Sequence, residues 1–124
     1  MYAMMVRKLT RLQVERYWAI YIRKSRKDRD QANARLRYQR TILPEMAKKQ
    51  GWKHVIYDED ITSACSSNLG SLKERERMLA DVAAGKVEGI LVLNLDRLSR
   101  DDTFVDFINI INLCAKYGVQ IATP

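Results

Sequence analysis

Apolar and polar positions along this chain fall into blocks that switch between a two-residue and a 3.6-residue period. Residues 18–23 (Trp-Ala-Ile-Tyr-Ile-Arg) are aromatic and β-branched and predict a first strand. A charged loop follows to about residue 33. From Ala34 the apolar positions Leu36, Ile42, Leu43, Met46 and Ala47 predict a helix ending at Gly51, with Pro44 as a kink or an early stop. Residues 53–57 predict a second strand. Residues 58–71 are polar, with few apolar anchors, and read as a long functional loop. Leu72, Met78, Leu79 and Val82 predict the inward stripe of a second helix over 72–84, stopped by Gly85. Residues 89–95 form a continuous apolar run, the pattern of a central parallel strand covered on both faces. Thr103 is placed to cap a third helix with Phe104, Phe107, Ile108, Ile111 and Cys114 inward. That helix ends near Gly118, and residues 119–122 open a fourth strand.

Strands alternating with helices predict right-handed βαβ units and an α/β domain with a parallel sheet. A strand order of 2-1-3-4 would put the topological switch between the first and third strands. Ligands of such sheets bind there, outside the carboxyl ends of the strands.

Length and composition narrow the class. With 124 residues, 47% of them apolar, the chain suits one domain with one core. No apolar run approaches the ~20 residues of a membrane span, and the N-terminus lacks the apolar core of a signal peptide. A cytoplasmic location is therefore expected. Cys65 and Cys114 are not expected to pair, and a lone histidine, His54, reads as a strand or surface residue. The charge is uneven. Residues 1–53 carry 15 Lys and Arg against 4 Asp and Glu, whereas residues 54–124 carry 7 against 11. That asymmetry within a net +7 chain points to a polyanionic partner such as nucleic acid.

Two motifs carry candidate chemistry, each at a strand exit. Tyr21-Ile22-Arg23-Lys24-Ser25 offers a hydroxyl beside an arginine. Leu95-Asp96-Arg97-Leu98-Ser99-Arg100-Asp101 offers two arginines three apart with an aspartate. A serine hydroxyl is a weak nucleophile without help, and attack on a phosphodiester builds negative charge on the non-bridging oxygens. Planar, permanently charged guanidinium groups answer both needs. Asp96 would orient one of them or act in proton transfer. Ser99, between Leu98 and Arg100, reads as a small loop residue.

Taken together and in this order, the motifs resemble the catalytic domain of the serine site-specific recombinases (resolvases, invertases and large serine integrases), over nearly all of residues 18–124. The resemblance implies a three-layer resolvase-like fold. It makes Ser25 the nucleophile that forms a phosphoserine bond to DNA. Arg23, Arg97 and Arg100 become the arginines around the scissile phosphate, with Asp96 as their acidic companion. Gln39 matches the family's helix glutamine and Tyr21 its strand tyrosine. The segment 58–64 resembles an acidic loop ending in serine, with Asp60 as its active-site acid and either Thr62 or Ser63 at the hydroxyl position. One departure stands out. Where the family usually carries Arg-Pro, this chain has Leu72-Lys73, so Lys73 substitutes there or Arg75 reaches in from one turn later.

The resemblance further implies double-stranded DNA as partner, a homo-oligomer (a dimer on each site, a tetramer in the synaptic complex), a nucleoid-associated location, and no metal, ATP or other cofactor. Residues 1–17 fall outside the resemblance and read as a lead-in of unassigned role. Residues 18–124 would be a catalytic domain that stops before a dimerisation helix and a C-terminal DNA-binding region. Two other readings compete: a catalytically degenerate DNA-binding or assembly module, and a Mg²⁺-dependent nuclease or topoisomerase-like domain. The nuclease would use Asp58 and Asp60 with Asp96, Asp101 or Asp102.

Overall fold

The computed structural model describes residues 15–24, 32–60, 72–99 and 104–124. Four strands, β1 (Tyr17–Ile22), β2 (His54–Asp58), β3 (Val87–Val92) and β4 (Gln120–Ala122), form one sheet in the order β2-β1-β3-β4. All three pairings are parallel, in the expected 2-1-3-4 order. The described helices are α1 (Ala32–Lys49), α2 (Lys73–Ala83) and α3 (Phe104–Tyr117).

Alternation along β1 divides the core in two. Trp18, Ile20 and Ile22 meet Leu36, Leu43 and Ala47 of α1 on one face. Ala19 and Tyr21 face the other way, onto Met78 and Val82 of α2 and Ile110 and Cys114 of α3. The result is three layers, with helices covering both faces as a parallel sheet requires.

Each helix returns to the sheet through the same short device. The N–H groups of Trp52, Lys86 and Val119 bond to the carbonyls of Ala47, Asp81 and Cys114, five residues back. Gly51, Gly85 and Gly118 supply the positive φ that this closure needs.

Several boundaries and one helix face differ from the sequence expectation. The first helix begins at Ala32 and runs through Pro44 to Lys49, without the early stop. β3 begins at Val87, two residues early, because Val87 pairs with Tyr17 across a register shift. Its exit is early too: Leu95 leaves the sheet for a 3-10 turn and is exposed. The larger correction concerns α3. Ile110 and Cys114 are buried there, whereas Phe104 and Ile108 of the expected inward stripe are 79% and 50% exposed. Asp106, Asn109, Asn112 and Lys116 mark one polar side, but the apolar arc that remains is wider than the face that is buried, so periodicity could not choose the inner part of it. The chosen rotation brings Asp106 within 2.7 Å of Arg75. Thr103, the expected cap, lies outside the described residues.

The lead-in contributes to the frame at its end. Arg16 donates from Nη2 to the carbonyls of Val87 and Tyr117, joining the start of β3 to the end of α3. Glu15 pairs with Lys53. Among the described residues, no helix is long and apolar enough to cross a membrane.

Candidate active site

The carboxyl ends of β1 and β3 lie side by side, and the chain leaves both strands into polar segments. After β3, Asn94 is extended and Leu95–Arg97 closes a 3-10 turn, with Arg97 N–H on Asn94 O and Leu98 N–H on Leu95 O. A tight turn of this kind leaves carbonyl oxygens needing donors. Arg23 provides them. Its Nε donates to Arg97 O at 3.1 Å, and its Nη2 to Asp96 O at 3.1 Å and Ser99 O at 3.3 Å. Arg97 returns the contact, donating from Nη1 to Arg23 O at 3.1 Å. Arg97 is 2% exposed, and its guanidinium lies at the floor of the junction.

Gln39 sits on the inner stripe of α1 between Leu36 and Leu43 and is fully buried. Its amide pairs with the backbone of Arg23, Nε2 donating to Arg23 O and Oε1 accepting from Arg23 N–H. The polar interruption of an apolar stripe thus holds the end of β1 as a neighbouring strand would.

Carboxylates close the β2 side. Asp60 accepts the backbone N–H of Lys24 at 3.0 Å and lies 3.7 Å from its ammonium. Asp58 takes a two-bond contact from Arg40 and also accepts Asp60 N–H. Glu59, 3% exposed, accepts the Tyr21 hydroxyl at 2.8 Å. The same carboxylate accepts the N–H groups of Glu74 and Arg75 in the first turn of α2. It therefore caps a helix whose own N-cap position, Leu72, offers no side-chain bond. Burial, reinforced by the charge and hydrogen bond of Glu59, pushes the Tyr21 phenol far above its usual range. Tyr21 stays a neutral donor at any working pH.

The structure thus brings together Tyr21, Arg23, Gln39, Asp60, Asp96 and Arg97. The contact of Asp96 with Arg23 runs through its backbone carbonyl, which also accepts the Ser99 hydroxyl. Ser25, Thr62, Ser63 and Arg100 lie outside the described residues, as do Cys65, Asp101 and Asp102. Lys73 is exposed at the start of α2. Arg75 turns inward at 6% exposure, donating from Nε to Leu98 O and from Nη2 to Asp106, both at 2.7 Å. Glu59 and Arg75 are the residues that sequence reasoning missed or left undecided. A signal for Arg75 existed: it lies three and four residues before Met78 and Leu79, on the same inward stripe. Glu59 carried none, being the middle member of an acidic triplet.

Among the described residues, no three His, Cys, Asp or Glu side chains come together in a way that could hold a metal ion. The nuclease alternative joined Asp58 and Asp60 to Asp96, Asp101 or Asp102, the last two of which lie outside the described residues. Asp58 is instead engaged by Arg40, and Asp60 by Lys24.

The sequence model of the resolvase N-terminal domain matches residues 18–124. The chain belongs to this family. The resolvase family places it in site-specific DNA recombination. Among solved structures, the C-terminal catalytic domain of ISC1926 TnpA, an IS607-like serine recombinase, is similar at 26% identity with a TM-score of 0.62. The alignment covers 86% of this chain and 68% of that one. A search of curated proteins finds no significant match.

Proposed function

We propose that this resolvase-family domain cleaves and rejoins DNA strands through a covalent 5′-phosphoserine intermediate on Ser25, without metal or ATP. The observation that carries the reading is the interlock of Arg23 with the 96–99 turn, beside the Asp60-bound N–H of Lys24. Two strand exits distant in sequence meet at one point, and Ser25 is the next residue after Lys24. In this mechanism the Ser25 oxygen attacks phosphorus and the 3′ oxygen leaves with a proton. The broken phosphodiester is conserved as a phosphoserine ester, so the 3′ hydroxyl reseals the strand by the reverse attack. Arg97 and Arg100, with Arg23, carry the charge on the phosphate oxygens. Asp96 and Asp60, with Thr62 or Ser63, complete the polar surround, Tyr21 and Gln39 support β1, and Lys73 contacts the DNA backbone.

Double-stranded DNA and further copies of the chain are the partners, as a dimer on each site and a tetramer in synapsis. The exposed, uncharged α3 face of Phe104, Val105, Ile108 and Ile111 supports subunit contact. Residues 18–124 form the catalytic unit, with DNA-binding and dimerisation segments outside it. The ISC1926 protein has its catalytic domain C-terminal, the opposite order to the one expected from the sequence.

The test uses duplex DNA spanning the ends of the parent element, in EDTA. Wild type is expected to form a covalent protein–DNA adduct and Ser25→Ala none, with folding and DNA binding retained. Adduct formation by Ser25→Ala would refute the nucleophile assignment. The second reading, a degenerate binding module, draws on the exposed Lys73 and inward Arg75 at the altered family position. DNA binding without any wild-type adduct would favour it.

A further inference from the structure

Two arginines hold four consecutive carbonyl groups of the turn after β3. Arg23 takes those of Asp96, Arg97 and Ser99. The remaining one, Leu98 O, receives the Nε–H of Arg75 at 2.7 Å. Arg75 belongs to α2, on the sheet face opposite α1, and is buried. Its backbone N–H is anchored on Glu59, which also receives the Tyr21 hydroxyl. Its Nη2 reaches Asp106 in the first turn of α3. Through its backbone N–H and its side chain, this one residue therefore ties the exits of β2 and β3 to the starts of α2 and α3. A buried guanidinium is costly to desolvate, and it is tolerated because its Nε and Nη2 are both paired.

We propose that Arg75 is a positioning residue: its Nε–H bond to Leu98 O fixes the 96–99 turn so that Arg23 and Arg97 keep their reciprocal contact. Without that bond, Leu98 O is a buried acceptor that has lost its donor among the described residues, and the turn shifts to recover one. Arg23 then loses register with three carbonyls at once. The catalytic consequence rests on the recombinase reading; the geometric one does not.

Two substitutions separate this role from that of an ion pair. Arg75→Gln places an amide N–H where the guanidinium Nε–H now sits, keeping the Leu98 bond and losing the charge. Arg75→Lys keeps a charge for Asp106 and puts a methylene in place of Nε. Exchange of the Arg23 Nε–H, followed by NMR in the 124-residue chain, reads the turn directly. Arg75→Lys is expected to speed that exchange by about tenfold and Arg75→Gln to leave it near wild type. On parent-element DNA at saturation, adduct formation by Arg75→Lys should slow on the order of 10²-fold, since ångström-scale misplacement of reacting groups has that effect, with the DNA Kd unchanged. Equal exchange in the two variants, or faster exchange in Arg75→Gln, overturns the proposal. So does adduct formation by Arg75→Lys at the wild-type rate. If wild type forms no adduct while Arg75→Lys still frees the Arg23 N–H, the recombinase reading fails and the positioning role stands.

Discussion

The two faces of the sheet are built on different principles. Against α1 the contacts are largely dry: Trp18, Ile20, Ile22, Leu43, Ala47 and Leu91 form an apolar cluster, with Gln39 as a buried polar exception, and Trp18 stacks on Trp52 at 3.7 Å. Against α2 and α3 the same sheet carries polar groups under cover. The Tyr57 hydroxyl bonds to that of Tyr17 at 2.6 Å and to Asp81 at 2.7 Å. Arg77 lies over the Tyr57 ring at 4.3 Å. Nearer the strand exits come Tyr21, Glu59 and Arg75. The dry face supplies stability through burial, which is non-directional and tolerant of detail. The polar face supplies direction, because each buried donor must meet one acceptor. The candidate site borrows most of its supports from the second face, and Gln39 is the polar group that reaches it from the first.

Substitutions on each face sharpen this contrast. The largest effect belongs to the dry face: Leu43→Ala removes a fully buried side chain and is expected to cost about 2–5 kcal/mol in denaturant unfolding. A loss under about 1 kcal/mol would mean that this face is loosely packed. Next is Gly89→Ala. A Cβ there would lie 2.4 Å from the Trp18 ring, which is itself stacked on Trp52. Overpacking of this kind costs about 1–3 kcal/mol, and a paired Trp18→Leu should recover part of it. A Gly89→Ala protein as stable as wild type would show that the ring moves aside.

The smallest effect tests the polar face. Tyr57→Phe removes two hydrogen bonds while keeping the ring, an expected loss of about 1 kcal/mol per bond at neutral pH. Its signature is alkaline. Burial, followed by the bonds to Tyr17 and Asp81, raises the folded-state phenol well above its ordinary value. Tyr17 is raised as well, burial again leading. Above about pH 10 the unfolded chain releases these protons while the folded protein keeps them, so stability falls as pH rises. Stability against pH should therefore drop less steeply above that point in Tyr57→Phe than in wild type. Parallel curves would remove Tyr57 from the network.

The place of the candidate site was readable in advance because its motifs sit at strand ends, where apolar runs give way to polar ones. Arg23, Asp96 and Arg97 meet as expected, and Gln39 and Asp60 join them at the backbone of residues 23 and 24. The supports were harder to read. Lys73 and Arg75 are two residues apart on one helix, and only packing sends one outward and the other in. The α3 stripe failed for a related reason: Phe104, Ile108, Ile110 and Ile111 are all apolar, and hydrophobicity does not rank one apolar face above another.

Periodicity and turn residues alone determined the succession of strands and helices, the parallel α/β class and the placing of each motif at the carboxyl end of a strand. These follow from local spacing, the glycine closures and the handedness of crossovers, all written residue by residue. The strand order that makes the two motifs neighbours was an assumption until the structure showed it. Tertiary structure decided which side of α3 is buried, that Glu59 caps α2, and that Arg75 holds Leu98 O. Those outcomes depend on where a donor finds an acceptor across elements far apart in the chain, and a single buried hydrogen bond leaves no period in the sequence.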